Sequence, residues 1–344
     1  MTAPSRIPLT LLTGFLGSGK TTLLRHLLAQ PSMAGTLVVV NELGAVGLDH
    51  HLLARAEEGP PVVALESGCL CCTLRTDLVR TLREVTWRFS REGRRMFERV
   101  VVETTGLALP GPLLTTITTS PELRGRYRLE GVLVTVDLAT ALDTLDRQPE
   151  AQAQVAAADR LLLTKGDLVD AATLAAVGHR LETLAPGVPQ VKVEHGRLDP
   201  ALFTRPVVDP ASWARTALAQ PHDHAHSHDH DHAHSHADDV VAHSLLIDEP
   251  LRAGVVEAWL ELLLSLHGPS VLRLKALLHL VDDPRPWLLD GVQHLVHPPR
   301  PLPAWPDEAR HSRIVLITRG VPWAAVAGSW QAVVGVPARR GGTG

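Results

Sequence analysis

The segment GFLGSGKT at residues 14–21 constrains the fold of this chain more than any other part of its sequence. It follows an apolar run at Pro8–Thr13 and leads into a helical pattern at Thr21–Gln30, which Pro31 ends. A glycine-rich turn between a strand and a helix allows consecutive backbone N–H groups to point inward around phosphate oxygens. The sequence therefore predicts a phosphate-binding loop at the carboxyl end of a buried strand.

Short runs rich in Val and Leu alternate with helical stretches as far as residue 204. Such continuous apolar runs are typical of parallel strands buried on both faces, and the alternation is typical of a sheet covered by crossover helices. The predicted strands are Pro8–Thr13, Thr36–Asn41, Val62–Leu65, Arg99–Thr104, Gly131–Asp137, Arg160–Lys165 and Gln190–Val193, and the predicted helices include Thr21–Gln30 and Ala171–Leu184. We predict an α/β fold, a phosphate-loop NTPase with a mostly parallel sheet.

The composition changes between residues 205 and 241, where every second position from His222 to His236 is a histidine. A tract this polar cannot bury apolar surface, so we interpret it as a flexible linker. Beyond it, the pattern predicts a smaller α+β domain with strands at Ala242–Asp248, Val271–Leu280, Trp287–Val296 and Ile314–Thr318 and helices at Leu251–Leu266 and Trp323–Val334. We therefore predict a nucleotide-binding domain at 1–204, a His-rich linker at 205–241 and a C-terminal domain at 242–344.

Charge and cysteine content exclude several classes of protein. Lys and Arg number 33 against 37 Asp and Glu, and this balance argues against a basic surface built for nucleic acid. The apolar run Ile7–Leu16 is too short to span a bilayer, so no membrane association is expected. The three cysteines all fall within residues 69–72 and cannot form a disulfide framework. These features favour a reduced, cytoplasmic location.

The phosphate loop needs a magnesium ion and an acidic residue to hold its shell. Lys20 would reach the β- and γ-phosphates, and Thr21 would offer its hydroxyl to Mg²⁺. The apolar strand at 99–103 ends in Glu103, the candidate carboxylate, and Gly106 would let the backbone approach the γ-phosphate. The residues expected to bind the phosphates are Gly14, Gly17, Ser18, Gly19, Lys20, Thr21 and Thr22.

Base recognition is predicted at Thr164, Lys165 and Asp167, which follow an apolar strand in the order T-K-x-D. The Asp167 carboxylate would accept hydrogen bonds from the N1–H and the exocyclic amine of guanine. Adenine has an acceptor at N1 and would leave that carboxylate unpaired, at a cost of about 1–3 kcal/mol. Lys165 would lay its aliphatic stem on the base. The element therefore favours GTP over ATP.

All three thiols lie in the segment ESGCLCC at residues 66–72. On a straight strand Cys69 and Cys71 share one face and Cys72 faces away, so convergence on one ion requires a turn, which Gly68 permits. Three thiolates suit Zn²⁺ or another soft to borderline cation and leave a fourth position for a carboxylate, water or another protein's ligand. The alternative is that the cysteines are buried apolar residues.

The histidine tract has a second metal-binding interpretation. Neutral imidazoles two residues apart in a flexible chain chelate Zn²⁺, Ni²⁺ or Co²⁺ in many equivalent ways, which suits loading or buffering. The alternative is a solvated linker with no metal role. The candidate ligands are His222, His224, His226, His228, His230, His232, His234 and His236.

Taken together, these motifs resemble those of the CobW-type GTPases of metal homeostasis, relatives of the urease and hydrogenase nickel-insertion GTPases. The resemblance covers nearly the whole chain, including the part after the histidine tract. The motifs that carry it are GFLGSGKTTLL, VNELGAVGLD, ESGCLCCTLRTDL, VVETTGLALP, VTVDLATAL and LLLTKGDLV, followed by LRLKALLHL, DGVQHLVHPP and SRIVLITRG. Thr164 departs from the Asn that is usual in the family.

The resemblance implies a GTPase that acts as a metallochaperone. Cys69, Cys71 and Cys72 would carry Zn²⁺, or Co²⁺ or Ni²⁺, and GTP hydrolysis would drive its transfer to the apo-form of a client metalloprotein. The segment at 41–44 would act as a switch-like region, in which Glu42 is a candidate metal ligand or water-positioning residue. Homodimerisation is a further expectation.

Three alternative functions remain open from the sequence. One is a cobalt or nickel insertase-type GTPase for a metallocofactor pathway. Another is a metal-storage or sensing protein whose nucleotide site is only regulatory. The third is a phosphoryl-transfer kinase, which shares the phosphate loop but has no use for three clustered thiols.

Overall fold

The computed structural model describes residues 6–40, 62–64, 73–92, 94–204, 240–293 and 295–340. Contacts between residues divide the chain into two units. The first is drawn from residues 1–141, 153–177 and 189–208, and the second from residues 142–152, 178–188 and 209–344. Each unit is built around its own large sheet.

The sheet of the first unit has seven described strands in the order β3-β2-β6-β1-β7-β8-β9, and every neighbouring pair is parallel. Strands β4 and β5 form a separate hairpin. The bounds are β1 Ile7–Gly14, β2 Thr36–Val40, β3 Val62–Ala64, β4 Ser90–Arg91, β5 Arg94–Arg95, β6 Arg99–Glu103, β7 Tyr127–Asp137, β8 Arg160–Thr164 and β9 Gln190–Lys192. The predicted α/β class with a mostly parallel sheet is confirmed.

Helices connect these strands. The first, α1, places Leu23, Leu24 and Leu27 on its buried face, where they pack against β-strand residues such as Val38 and Val101. The helices of this part of the chain are α1 Lys20–Leu28, α2 Thr73–Arg88, α3 Pro110–Thr119, α4 Pro121–Arg124, α5 Ala141–Arg147, α6 Pro149–Ala156, α7 Ala171–Leu184 and α8 Pro200–Thr204. Short 3₁₀ turns lie at Pro31–Met33 and Gly166–Leu168.

The strand order brings several polar residues to one edge of this sheet. Strand β1 lies at the centre, between β6 and β7. Gly14 at the end of β1 lies beside Thr135 of β7, Asp137 at the end of β7 lies beside Thr164 of β8, and Glu103 ends β6. Because parallel strands end at the same edge, the fold gathers all of these positions where ligands bind in open α/β sheets.

The sheet of the second unit is antiparallel, in the order β13-β12-β11-β15-β10-β16, with β14 paired to β12. Trp259 and Trp330, from the two helices, are fully buried in its core and meet edge to face with ring centroids 4.8 Å apart. The bounds are β10 Val240–Ile247, α9 Ala253–His267, β11 Val271–Leu280, β12 Asp283–Val292, β13 Leu295–Val296, β14 Arg300–Pro301, β15 Ser312–Arg319, α10 Trp323–Val333 and β16 Arg339–Arg340. The predicted α+β class is confirmed.

One predicted strand is wrong. The apolar pattern at Trp287–Val296 predicts a single strand, whereas the chain forms β12 and β13, which pair antiparallel across a tight turn. Gln293 adopts φ 54°, in the left-handed region, which reverses the chain direction. Gln is not a typical residue for this conformation, so nothing in the apolar pattern marks the turn.

None of the described helices combines the length and the apolar character that a membrane span requires.

Candidate functional site

The phosphate loop joins the end of β1 to the start of α1. Gly14 has φ 146°, and a Cβ built on it would lie 2.3 Å from Thr135 Oγ1 and 2.4 Å from Thr135 O, so that no side chain fits at this position. Gly17 and Gly19 also have positive φ, at 73° and 91°. Ser18 N donates a hydrogen bond to Phe15 O at 3.2 Å, which closes the turn. The loop therefore has the tight, glycine-dependent course that the sequence predicts.

Lys20 is the first residue of α1 and folds back over the loop. Its Nζ donates to Gly14 O at 2.8 Å and to Phe15 O at 3.2 Å, and the side chain is largely buried. The carbonyl oxygens hold the ammonium group at the loop through charge-assisted hydrogen bonds. Thr22, two residues along the helix, is exposed.

Thr21 and Glu103 meet at the centre of the site. Thr21 Oγ1 donates to Glu103 Oε1 at 2.8 Å, and the carboxylate is almost fully buried at the end of β6. A hydroxyl and a carboxylate are hard oxygen ligands of the kind that Mg²⁺ prefers, and Mg²⁺ is usually bound through one or two such groups together with phosphate oxygens. These two residues therefore fit the magnesium ion that a phosphate-loop NTPase requires.

A set of buried hydroxyl groups supports the loop from the sheet. Ser18 Oγ and Thr135 Oγ1 are hydrogen-bonded at 2.7 Å, Thr135 Oγ1 also donates to Thr13 O at 3.3 Å, and Thr104 Oγ1 donates to Thr13 Oγ1 at 2.7 Å. Thr13, Thr104 and Thr135 were not among the residues predicted from the sequence. The signal that could have found them is that each is a polar residue at or next to the carboxyl end of a Val- or Leu-rich strand.

Thr164 contacts the phosphate loop directly. Its Oγ1 lies 2.9 Å from Ser18 O and 3.1 Å from Val136 O, and the residue is buried. One hydroxyl proton serves both carbonyl oxygens, so Thr164 fixes the backbone of the loop against the ends of β7 and β8. The structure thus gives this predicted nucleotide-binding residue a contact with the loop.

Lys165 and Asp167 follow at the same edge of the sheet. Lys165 has φ 57° and its Nζ forms an ion pair with Asp137 Oδ2 at 2.6 Å. Asp167 lies in the 3₁₀ turn at Gly166–Leu168 and is exposed to solvent. Asp137, which the sequence interpretation missed, anchors the lysine stem beside this turn and also accepts a hydrogen bond from Ala139 N at 3.0 Å. An exposed carboxylate next to an anchored lysine is an arrangement that a base can approach.

Gly106 lies close to the phosphate loop. A Cβ built on it would come within 2.6 Å of Leu16 N and 2.8 Å of Leu16 Cα, so only glycine fits between the two backbones. The loop after Glu103 therefore passes directly against the loop after β1. Gly106 therefore lies beside the loop that is predicted to bind the phosphates.

The predicted metal-binding residues other than Thr21 and Glu103 lie outside the described residues. These are Glu42, Cys69, Cys71, Cys72 and the histidines at alternate positions from His222 to His236. Within the part of the chain that the structure describes, no group of three or more His, Cys, Asp or Glu side chains is placed to hold a metal ion. The thiolate cluster and the histidine tract therefore stay predictions.

The loop, the buried lysine, the threonine–glutamate pair and the parallel sheet define the class of phosphate-loop NTPases. Comparison with known families gives the narrower assignment. Residues 8–192 match the CobW/HypB/UreG nucleotide-binding domain, and residues 240–334 match the cobalamin synthesis protein cobW C-terminal domain. The chain belongs to the CobW/HypB/UreG family, as the sequence resemblance predicted.

Individual relatives cover almost the full chain. A protein named zinc chaperone YjiA, from Escherichia coli (strain K12), is 33% identical over 316 residues, 92% of this chain and 95% of its own length. A protein named zinc chaperone CobW, from Pseudomonas aeruginosa, is 30% identical over 355 residues, 94% of this chain and 90% of its own. The crystal structure of Zn(II)-bound YjiA GTPase from E. coli superposes with a TM-score of 0.70 at 27% identity, covering 96% of this chain and 99% of that one.

Proposed function

We propose that this protein is a GTP-hydrolysing zinc chaperone. It binds Zn²⁺ at Cys69, Cys71 and Cys72 and transfers the ion to the apo-form of a client metalloprotein. The observation that carries the nucleotide half of this proposal is the hydrogen-bonded pair of Thr21 and Glu103 at the phosphate loop. The metal half is supported by the thiol cluster in the sequence and by relatives named zinc chaperones over nearly the full chain.

The described residues have separate proposed roles in GTP binding. The loop N–H groups and Lys20 would surround the phosphates. Thr21 and Glu103 would hold the magnesium ion, which would neutralise phosphate charge. Thr164 fixes the loop, Lys165 supports the base, and Asp167 selects guanine. Glu42 is proposed to position the attacking water.

In the sequence, the three cysteines fall between two described elements of the first unit. Strand β3 ends at Ala64, five residues before Cys69, and α2 begins at Thr73, directly after Cys72. Strand β3 pairs with β2, which pairs with β6, the strand that ends in Glu103. We propose that γ-phosphate contacts order both the nucleotide site and the thiol segment, so that metal affinity is high with GTP and falls after hydrolysis.

A titration of Zn²⁺ tests this coupling. The full chain is loaded with a non-hydrolysable GTP analogue in one arm and with GDP in the other, and zinc affinity is measured against a competing chelator. We expect tighter binding with the GTP analogue, and equal affinities would contradict the coupling. The matched control replaces Cys69, Cys71 and Cys72 by Ser, which should abolish tight one-to-one zinc binding and leave GTP affinity nearly unchanged.

Multiple-turnover GTP hydrolysis distinguishes a metallochaperone from a metal-storage protein. A chaperone hydrolyses GTP over many turnovers and activates an apo-client only when GTP is present, whereas a store does neither. A cytoplasmic location is supported by three cysteines that lie within four residues and cannot form a disulfide framework. The histidine tract at 222–236 would serve as a loading segment within the proposed linker at 205–241, and its deletion should lower the number of zinc ions bound per chain.

A further inference from the structure

Gln154, in the last turns of α6, reaches the loop that follows Glu103. Its Nε2 donates one hydrogen bond to Gly106 O and another to Ala108 O, both at 3.0 Å. The side chain is 1% exposed. Gln154 lies 48 residues from Gly106 in sequence, so these bonds fix the loop from a separate element.

The orientation of the Gln154 amide follows from its partners. Both are carbonyl oxygens, which only accept hydrogen bonds, so the amide nitrogen must face them. The oxygen Oε1 is then buried, and among the described residues it has no donor. A buried acceptor without a partner is costly, so a glutamine is a poor choice here for stability alone.

The two carbonyls belong to the loop that passes against the phosphate loop. Gly106 is the residue whose Cβ would come within 2.6 Å of Leu16 N. By binding the carbonyl oxygens of Gly106 and Ala108, Gln154 holds this close approach. Two further hydrogen bonds reach this loop, both at Thr105 O: Ala108 N and Thr104 Oγ1 each donate to it at 3.2 Å.

We propose that Gln154 is a positioning residue that holds Gly106 against the phosphate loop, where it receives the γ-phosphate of GTP. The inference rests on the proposed function. A loop already held in its binding conformation loses less conformational entropy when the ligand arrives, so the ligand binds more tightly. Because GDP lacks the γ-phosphate, Gln154 affects GTP affinity and leaves GDP affinity unchanged.

The substitution Gln154→Met tests the proposal in the full chain, because methionine has nearly the same volume and no hydrogen-bond donor. Affinities for a non-hydrolysable GTP analogue and for GDP are measured by titration in the presence of Mg²⁺. We expect the analogue to bind about tenfold more weakly, as two hydrogen bonds of modest net strength predict. GDP affinity should not change, and this also shows that the variant folds.

Gln152→Met is the matched control. Gln152 lies on the same helix and is 3% exposed, but its Nε2 donates to Leu145 O and its Oε1 accepts from Arg319. This variant should keep the wild-type ratio of the two affinities. An unchanged or increased affinity of Gln154→Met for the GTP analogue, or the same ratio change in Gln152→Met, would overturn the proposal.

Steady-state hydrolysis provides a second readout. We expect Gln154→Met to raise KM for GTP about tenfold and to change kcat much less, because saturating GTP orders the loop. A merely structural role would lower kcat through loss of active protein and leave KM unchanged. The wild-type titration tests the proposed function itself: no GTP binding by the wild type contradicts both ideas, whereas normal wild-type binding with an unaltered Gln154→Met contradicts only the role of Gln154.

Discussion

The two sheets both bury polar side chains, but the groups have different kinds of partners. At the edge of the first sheet, Thr21 donates to Glu103, and Lys20 donates to backbone carbonyls of the phosphate loop. In the second sheet, the buried Arg313 forms a bidentate ion pair with Asp307, with Nη1–Oδ2 at 2.6 Å and Nη2–Oδ1 at 2.5 Å. The first set holds groups that a phosphate or a cation can bind in place of the present contacts. In the second set the guanidinium is bound within the fold, because Arg313 also donates to His311 Nε2 and to Ala309 O, both at 3.2 Å.

This difference separates residues that serve a ligand from residues that serve the fold. A bidentate guanidinium–carboxylate pair satisfies both charges in a fixed geometry and offers little to a ligand. A hydroxyl donating to a carboxylate oxygen leaves the coordinating capacity of both groups available to a metal ion. We therefore expect changes at the first site to affect catalysis more than stability, and changes at the second to affect stability alone.

The largest effect is expected for Glu103→Gln. The amide keeps the shape of the side chain but removes the charge that we propose holds Mg²⁺, so kcat for GTP hydrolysis should fall by about 10²–10³-fold. Multiple-turnover phosphate release measures this. The control is Asp307→Asn, which should hydrolyse GTP at the wild-type rate. A normal kcat for Glu103→Gln would contradict the idea that the buried polar groups of the first sheet serve a ligand while those of the second serve the fold.

Asp307→Asn should instead lower the free energy of unfolding. The neutral amide leaves the buried Arg313 guanidinium with a weaker partner, and the expected cost is about 1–3 kcal/mol after allowing for the partial exposure of Asp307. Urea denaturation, followed by the tryptophan fluorescence of the second unit, measures this loss of unfolding free energy. If Asp307→Asn had unchanged stability and reduced GTP hydrolysis, the pair in the second sheet would serve the nucleotide site and not the fold, which contradicts the comparison.

Thr164→Val should have a smaller effect at the nucleotide site. The change removes the hydroxyl that binds Ser18 O and Val136 O, and a lost hydrogen bond of about 0.5–1.5 kcal/mol corresponds to roughly a two- to tenfold loss of affinity. GTP and GDP should weaken equally, because both bind through the same loop. Thr116→Val, which removes a buried hydroxyl bonded to Pro112 O within α3, is the matched control and should leave both affinities unchanged.

The ion pair between Arg313 and Asp307 should make the free energy of unfolding depend on pH. The hydrogen bonds from Arg313 hold the pKa of the Asp307 carboxyl below its usual value. A carboxyl whose pKa is lower in the folded state stabilises the protein above the unfolded pKa of about 3.9 and loses that contribution as the pH falls through the folded value.

The stability difference between wild type and Asp307→Asn should therefore be constant above about pH 5 and become smaller below about pH 4. Urea unfolding at a series of pH values measures it. A difference that does not change between neutral and acidic pH would show that Asp307 is not stabilised by its charge.

The sequence predicts the parts of the site that depend on local order. The course of the phosphate loop follows from the spacing of its glycines between a strand and a helix, and Glu103 follows from an apolar strand that ends in a carboxylate. The parallel class of the first sheet follows from strands without polar alternation. In each case neighbouring residues carry the information.

The parts that were missed depend on contacts between distant segments. Gln154 lies in a helix with no distinguishing pattern, and only the folded chain brings its amide to Gly106. Thr135 and Thr13 are 122 positions apart, and their hydrogen bond depends on the strand order. The turn between β12 and β13 was missed for another reason, since Gln293 carries no local signal for positive φ.

The central position of β1 has a consequence for the order of folding. Its neighbours are β6 and β7, and the register pairs Leu9 with Val100 and with Leu129. Contacts this distant in sequence form slowly, and until they form both edges of an apolar strand are unpaired. During synthesis, β1 therefore stays unpaired until about a hundred further residues have been added, and in that period it is prone to aggregation. Truncated chains that end before β6 should accordingly be insoluble.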